Sequence, residues 1–288
     1  VSRRAAGPRG GAGAPGGAGR LGGAPLLAGG AHQTGGALSA LTGGDGSDSG
    51  AYGDGQQEYI DTCTAEQANT TRECRLNGTV QSLDAYWTEA LPQQAGVEFA
   101  QPDVVSFTGQ VSTGCGAATS AVGPFYCPPD QTVYIDLGFY DDLTNRFGAN
   151  DGGLAEMYVV AHEFGHHIEQ LTGAMDSADR QGTGPESDSV RIELMADCLA
   201  GMWAGHAATT VDPDTGVTFL APITKQQLDD ALSAASAVGD DRIQEAATGQ
   251  VNPEGWTHGS SEQRQRWFTT GYEGGTLQDC AALSAATL

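Results

Sequence analysis

The residues of this sequence best placed to do chemistry are His162-Glu163-Phe164-Gly165-His166. On an α-helix His162 and His166 lie one turn apart, so both imidazoles can point at one atom. Glu163 lies beside them, able to reach a water on that atom but angled away from ligating it. Two nitrogen ligands, a general base and open coordination positions are what a zinc-dependent protease requires. The flanks predict the helix: Leu154, Met157, Tyr158, Ala161, Phe164, Ile168 and Leu171 recur at three- and four-residue spacing. A helix that merely carries two surface histidines fits the same five residues, so the decision falls to a third ligand.

The run Arg191-Ile192-Glu193-Leu194-Met195-Ala196-Asp197-Cys198 offers one. Glu193 and Asp197 are again one turn apart, inside an apolar helical pattern where an unpaired carboxylate is costly. A metal and a metal-bound histidine would relieve that cost. Glu193 would complete a His-His-Glu site, and Asp197 would accept the outer N–H of a ligand histidine. The competing reading pairs Glu193 with Arg191 or turns it to water. His167 points roughly 100° away from His166 around the helix and is expected to be structural. His206, near a helix end, favours the helix dipole. His258 stands immediately before a capped helix, where it could be held facing the metal as a hydrogen-bond donor to an oxyanion. A satisfied loop histidine fits that position equally well.

Positioning these residues calls mostly for helices. Gly152-Gly153 open the histidine helix, and Gly173 lies where a C-cap glycine belongs. A second long helix is predicted from Ser187 to about Ala207. Thr224 with Gln227, and Ser260 with Gln263, form capping boxes that start helices running to about Val238 and Gly271. Asp240–Thr248 is another helix, and Val80–Leu91 a short one stopped by Pro92. Val104–Phe107 and Val133–Asp136 read as strands, separated by a Gly-, Ala- and Ser-rich loop between Cys115 and Cys127. The expected class is α+β, mostly helical with a small β-sheet, with Val133–Asp136 as a candidate edge strand.

Residues 1–55 are too poor in apolar side chains to fold alone and are expected to form a disordered Gly/Ala-rich tail, leaving one domain over 56–288. The stretch from Leu21 to Leu41 is interrupted by His32, Gln33 and Thr34. It falls short of the roughly 18 apolar residues of a membrane span and lacks the form of a signal peptide. All 36 carboxylates fall after residue 44, whereas Arg3, Arg4, Arg9 and Arg20 fall before it. A folded part that acidic disfavours nucleic acid and anionic membranes as partners. Six cysteines without a C-x-x-C pair argue against a cysteine zinc ribbon. Their even number favours disulfides and an oxidising compartment. Fifteen pairings are possible. Closeness in sequence suggests Cys63–Cys74 and Cys115–Cys127, which leaves Cys198–Cys280.

Four segments in this order carry a resemblance to a known family: Gly123-Pro124-Phe125-Tyr126-Cys127-Pro128 with Tyr134-Ile135-Asp136, the histidine motif extended to His167, Glu193 to Cys198, and His258-Gly259-Ser260-Ser261-Glu262-Gln263-Arg264. Together they resemble the bacterial putative neutral zinc metallopeptidase family, and the Glu-then-Asp spacing is similar to the wider thermolysin-like group. The resemblance implies a zincin-like, extracytoplasmic peptidase, secreted or on the cell surface. Family members often carry a membrane-spanning segment near the N-terminus, and here this chain departs from them. The resulting expectation is one Zn2+ per chain on His162, His166 and Glu193, Glu163 and His258 as catalytic residues, and a peptide or protein as substrate. The alternative is a non-catalytic zinc-dependent binding module. Glu163 discriminates between the two, since a structural site needs no base.

Overall fold

The structure, a computed structural model, describes residues 63–288. The tail expected over 1–55 and the expected start of the domain therefore lie outside the described residues. The chain enters through α1 (Ala65–Thr70), started by a capping box between Thr64 and Gln67, and continues into α2 (Arg72–Ala95). Helix α2 is twice the length that the sequence suggests. Pro92 removes one backbone donor in its last turn without ending it. The stop comes instead at Gly96, whose left-handed φ of 67° lets its N–H close back on Pro92.

Five short strands follow: β1 (Asp103–Phe107), β2 (Gln110–Thr113), β3 (Gly116–Thr119), β4 (Phe125–Cys127) and β5 (Thr132–Asp136). Strand β5 lies in the centre of a three-stranded sheet, parallel to β1 and antiparallel to β4. This overturns the edge reading of Val133–Asp136. All five residues of β5 are buried, so the strand is covered on both faces as well as paired along both edges. The edge strand beside the histidine helix is β4. The stretch expected to be only a loop between Cys115 and Cys127 also contains structure, because β2 and β3 pair as a hairpin. The Cys115–Cys127 disulfide ties the hairpin turn to the end of β4.

After α3 (Phe139–Asn145) comes the histidine helix α4 (Gly153–Thr172), ended by Gly173 at φ 78°. Fifteen of its residues are buried, five of them His or Glu, so it is enclosed nearly all round at the centre of the core. Helices α2, α6 and α7 and strands β4 and β5 pack around it. The remaining helices are α5 (Ala174–Ser177), α6 (Asp188–His206), α7 (Lys225–Ala237), α8 (Asp240–Thr248) and α9 (Ser261–Tyr272). Both expected capping boxes, at Thr224 and Ser260, are present.

Glycines fix how α9 lies on α6. A Cβ on Gly201 would fall 2.0 Å from the carbonyl oxygen of Phe268, and one on Gly271 would fall 1.9 Å from that of Cys198. The two backbones touch with no side chain between them. The Cys198–Cys280 disulfide clamps the following segment to α6, and Cys63–Cys74 closes the start of α2. All three pairs are those expected from sequence.

Candidate metal centre

His162 and His166 project from the same face of α4 with ring centroids 4.8 Å apart. Each has its outer nitrogen engaged. His162 Nδ1–H donates to Asp197 Oδ1 at 2.9 Å, and His166 Nδ1–H donates to Glu169 Oε2 at 2.9 Å. These bonds set the tautomer and leave both Nε2 atoms facing the Glu193 carboxylate on α6. Glu193 Oε2 lies 3.2 Å from His162 Nε2, and its Oε1 lies 3.5 Å from His166 Nε2. Arg191 does not hold Glu193. It pairs with Glu186 and donates to the carbonyls of Ala282 and Ala285. Glu163 is buried to 6% exposure, lines the same cleft, and accepts no hydrogen bond among the described residues.

Electrostatics concentrates here. Burial pushes the Glu163 carboxyl up, against the pull of His162 and His166. Burial alone would also raise Glu193, but His166, His258 and His162 outweigh it and hold that carboxyl well below the usual range. Glu169 is fully buried and pushed up to about 7, with His166 opposing the shift.

Behind Asp197 stands Arg264, the last residue of the His258–Arg264 segment. Its Nε donates to Asp197 Oδ2 at 2.7 Å and its Nη2 to Oδ1 at 2.9 Å. Tyr158 adds a hydroxyl to Oδ1 at 2.5 Å. Burial of Arg264 opposes its charge, but Asp197 outweighs it and keeps the guanidinium cationic. His258 lines the cleft with its side chain 51% exposed, and its Nδ1 lies 3.3 Å from Asp240 Oδ1. The same Asp240 carboxylate accepts the backbone N–H groups of Thr257, His258 and Gly259 through Oδ2, so the loop wraps around one anion. His167 is structural, as expected: it accepts from the Tyr126 hydroxyl and donates to the Ala100 carbonyl.

The cleft runs to about 590 Å³ between α4, α6, the loop Ser120–Pro124, and β4. This chain matches the family described as "Putative neutral zinc metallopeptidase" over residues 1–283. The chain belongs to this family. It is similar to an uncharacterized protein of Mycobacterium tuberculosis, 48% identical over 225 residues that make up 78% of this chain and 75% of that protein. It is also similar to the uncharacterized protein YpfJ of Escherichia coli, 44% identical over 193 residues, 65% of this chain and 63% of the other. No solved structure shows significant similarity to it.

For a member of the zinc metallopeptidase family the donor set fits the metal. Two imidazole nitrogens and one carboxylate, all within 4.8 Å of one another, could hold an ion and still leave a coordination position open toward the cleft. Asp197 and Glu169 occupy the outer nitrogens, the hydrogen bonds that metal-bound histidines ordinarily carry. Glu169, Arg264, Tyr158 and Asp240 were not singled out by sequence. Glu169 alone left a local trace, three residues past His166 on the buried side of the same helix.

Proposed function

We propose that this chain is a zinc-dependent endopeptidase, with zinc on His162, His166 and Glu193. The observation that carries the reading is Glu163: a buried carboxyl facing the cleft, beside the donor set but outside it. A site that uses metal only for folding needs no such base and closes its fourth position with protein. When bound, zinc supplies Lewis-acid chemistry, acidifying water and polarising a peptide carbonyl. Glu163, buried beside the donor set, accepts the proton of the attacking water and returns it to the leaving amine nitrogen. His258, oriented by Asp240, donates to the carbonyl oxygen as negative charge develops there. An extended peptide aligns against the free edge of β4 by strand addition. Three disulfides support an extracytoplasmic working place, secreted or cell-surface. No described helix is long and apolar enough to cross a membrane.

The test is incubation of the purified protein with a diverse peptide pool, with and without chelator, alongside Glu163→Gln and Glu193→Ala. Cleavage should vanish with chelator. Glu163→Gln should retain one zinc and lose hydrolysis, whereas Glu193→Ala should lose the metal. Full zinc occupancy in Glu193→Ala would sink the ligand assignment.

A further inference from the structure

Arg146 and Arg180 both line the cleft that holds His162, Glu163 and Glu193. Of the nine basic side chains among the described residues, five hold a carboxylate and four do not. Arg72, Arg75, Arg191, Lys225 and Arg264 each hold one. Arg146 and Arg180 hold none among the described residues, and both are exposed. Arg242 and Arg266 also lack a carboxylate, but neither lines the cleft. The case of Arg146 is the sharper one. Asp142 lies four residues before it, at the spacing of a helical ion pair, and lines the same cleft. Its carboxylate is nevertheless beyond 4.0 Å. The guanidinium instead lies 5.3 Å from the centroid of the Phe147 ring, with one face spent on the aromatic and its donors free. Phe139 and Phe147 pack together beside it at the cleft wall, at 6.3 Å between ring centroids.

We propose that Arg146, assisted by Arg180, selects peptide substrates that present a carboxylate within reach of the scissile bond, next to an apolar side chain seated on Phe139 and Phe147. The proposal rests on the endopeptidase reading and deepens it. A guanidinium presents a planar fork of donors that matches a carboxylate in two parallel hydrogen bonds. In an open cleft such a contact changes affinity by about tenfold. Two sources supply that chemistry, an Asp or Glu side chain and the free C-terminus of a short peptide, and the comparison peptides below separate them.

The probes are dye-labelled octapeptides of one apolar sequence carrying a single Glu at each position in turn, each paired with its Gln counterpart and with its C-terminal amide. They are titrated against zinc-loaded Glu163→Gln protein by fluorescence anisotropy and cleaved by the native protein. At one position Glu should bind and be cleaved about tenfold better than Gln. If the C-terminal acid is the source, acid should exceed amide instead. In R146Q the ratio should fall toward one, and in the R146Q/R180Q pair it should be lost, with zinc content unchanged. Equal binding of all members by a protein that cleaves them overturns the carboxylate site and leaves the peptidase reading standing. A carboxylate preference in binding, with no cleavage by the native protein, overturns the peptidase reading and leaves the site standing.

Discussion

Gly165 and Ala196 meet backbone to backbone. A Cβ on Gly165 would lie 2.8 Å from Ala196 Cα and 2.9 Å from its carbonyl oxygen. That contact sets the separation of α4 from α6, and with it the span between the two histidines and Glu193. The glycine inside the histidine motif is thus a spacer that brings three donors from two helices within reach of one ion.

Gly165→Ala should push the helices apart by several tenths of an ångström. Overpacking of this kind costs about 1–3 kcal/mol. Thermal unfolding should show the loss, and zinc affinity should drop with it. A variant of native stability that binds zinc normally would refute the spacer role.

His258→Ala should lower kcat by roughly 100- to 1,000-fold while zinc content and Tm barely move, because a donor aimed at a developing oxyanion acts mainly in the transition state. Asp240→Asn should give a milder loss, since its amide oxygen can still accept from the loop N–H groups, but of the two carboxylates that raise the His258 pKa, Glu193 and then Asp240, only Glu193 would remain. If His258→Ala strips the metal, His258 is a ligand and the role of Glu193 must change.

Arg264→Met leaves the fully buried Asp197 carboxylate with one hydroxyl and one imidazole in place of a bidentate guanidinium. Removing one partner from a buried pair costs about 3–5 kcal/mol. Arg264→Lys should recover little, because one ammonium cannot reproduce the two-pronged contact. Urea unfolding of the three proteins checks the order. Equal midpoints for the native protein and Arg264→Met would remove the argument.

Much of this site was legible in the sequence, and the remainder follows a physical pattern. His162, Glu163, His166, Glu193 and Asp197 sit at helical spacing, so a local reading finds them. The structure brings them together. Arg264 and Asp240 escape such a reading. Arg264 meets Asp197 only because Gly201 and Gly271 let α9 settle on α6, and no single stretch encodes that contact. Asp240 serves His258 from 18 residues away. The position of the edge strand is hidden from sequence for a related reason. The run Val133 to Asp136 shows that a strand forms, but which neighbours flank it depends on pairing with β1 and β4. The length of α2 exceeds the sequence expectation because a proline in the last helical turn does not stop the helix.

Asp84, on α2 and far from the metal donors in sequence, gives a pH test. Burial pushes its pKa from 3.8 to about 7, although the Gln101 amide donates to it and pulls the other way. Its Oδ1 has no partner among the described residues. The folded side chain therefore keeps its proton up to about pH 7, whereas the unfolded one releases it near 3.8. Stability contributed here is complete below the lower value and is lost as pH rises through about 7. Asp84→Asn should remove that dependence and raise stability most above pH 7, with the gain shrinking toward pH 5. Urea midpoints measured across that range decide it, and parallel curves for the two proteins would exclude Asp84 as the source.

The reach of Arg264 back to Asp197, across 67 residues, also has a consequence in time. A chain that emerges N-terminus first exposes both histidines and Glu193 long before the arginine that braces them. Cys280, which clamps the same helix, arrives later still. A chain not yet extended to Arg264 therefore carries the metal donors without their support. In the peptidase proposed above, this ordering would hold back a fully braced centre until α9 has been made.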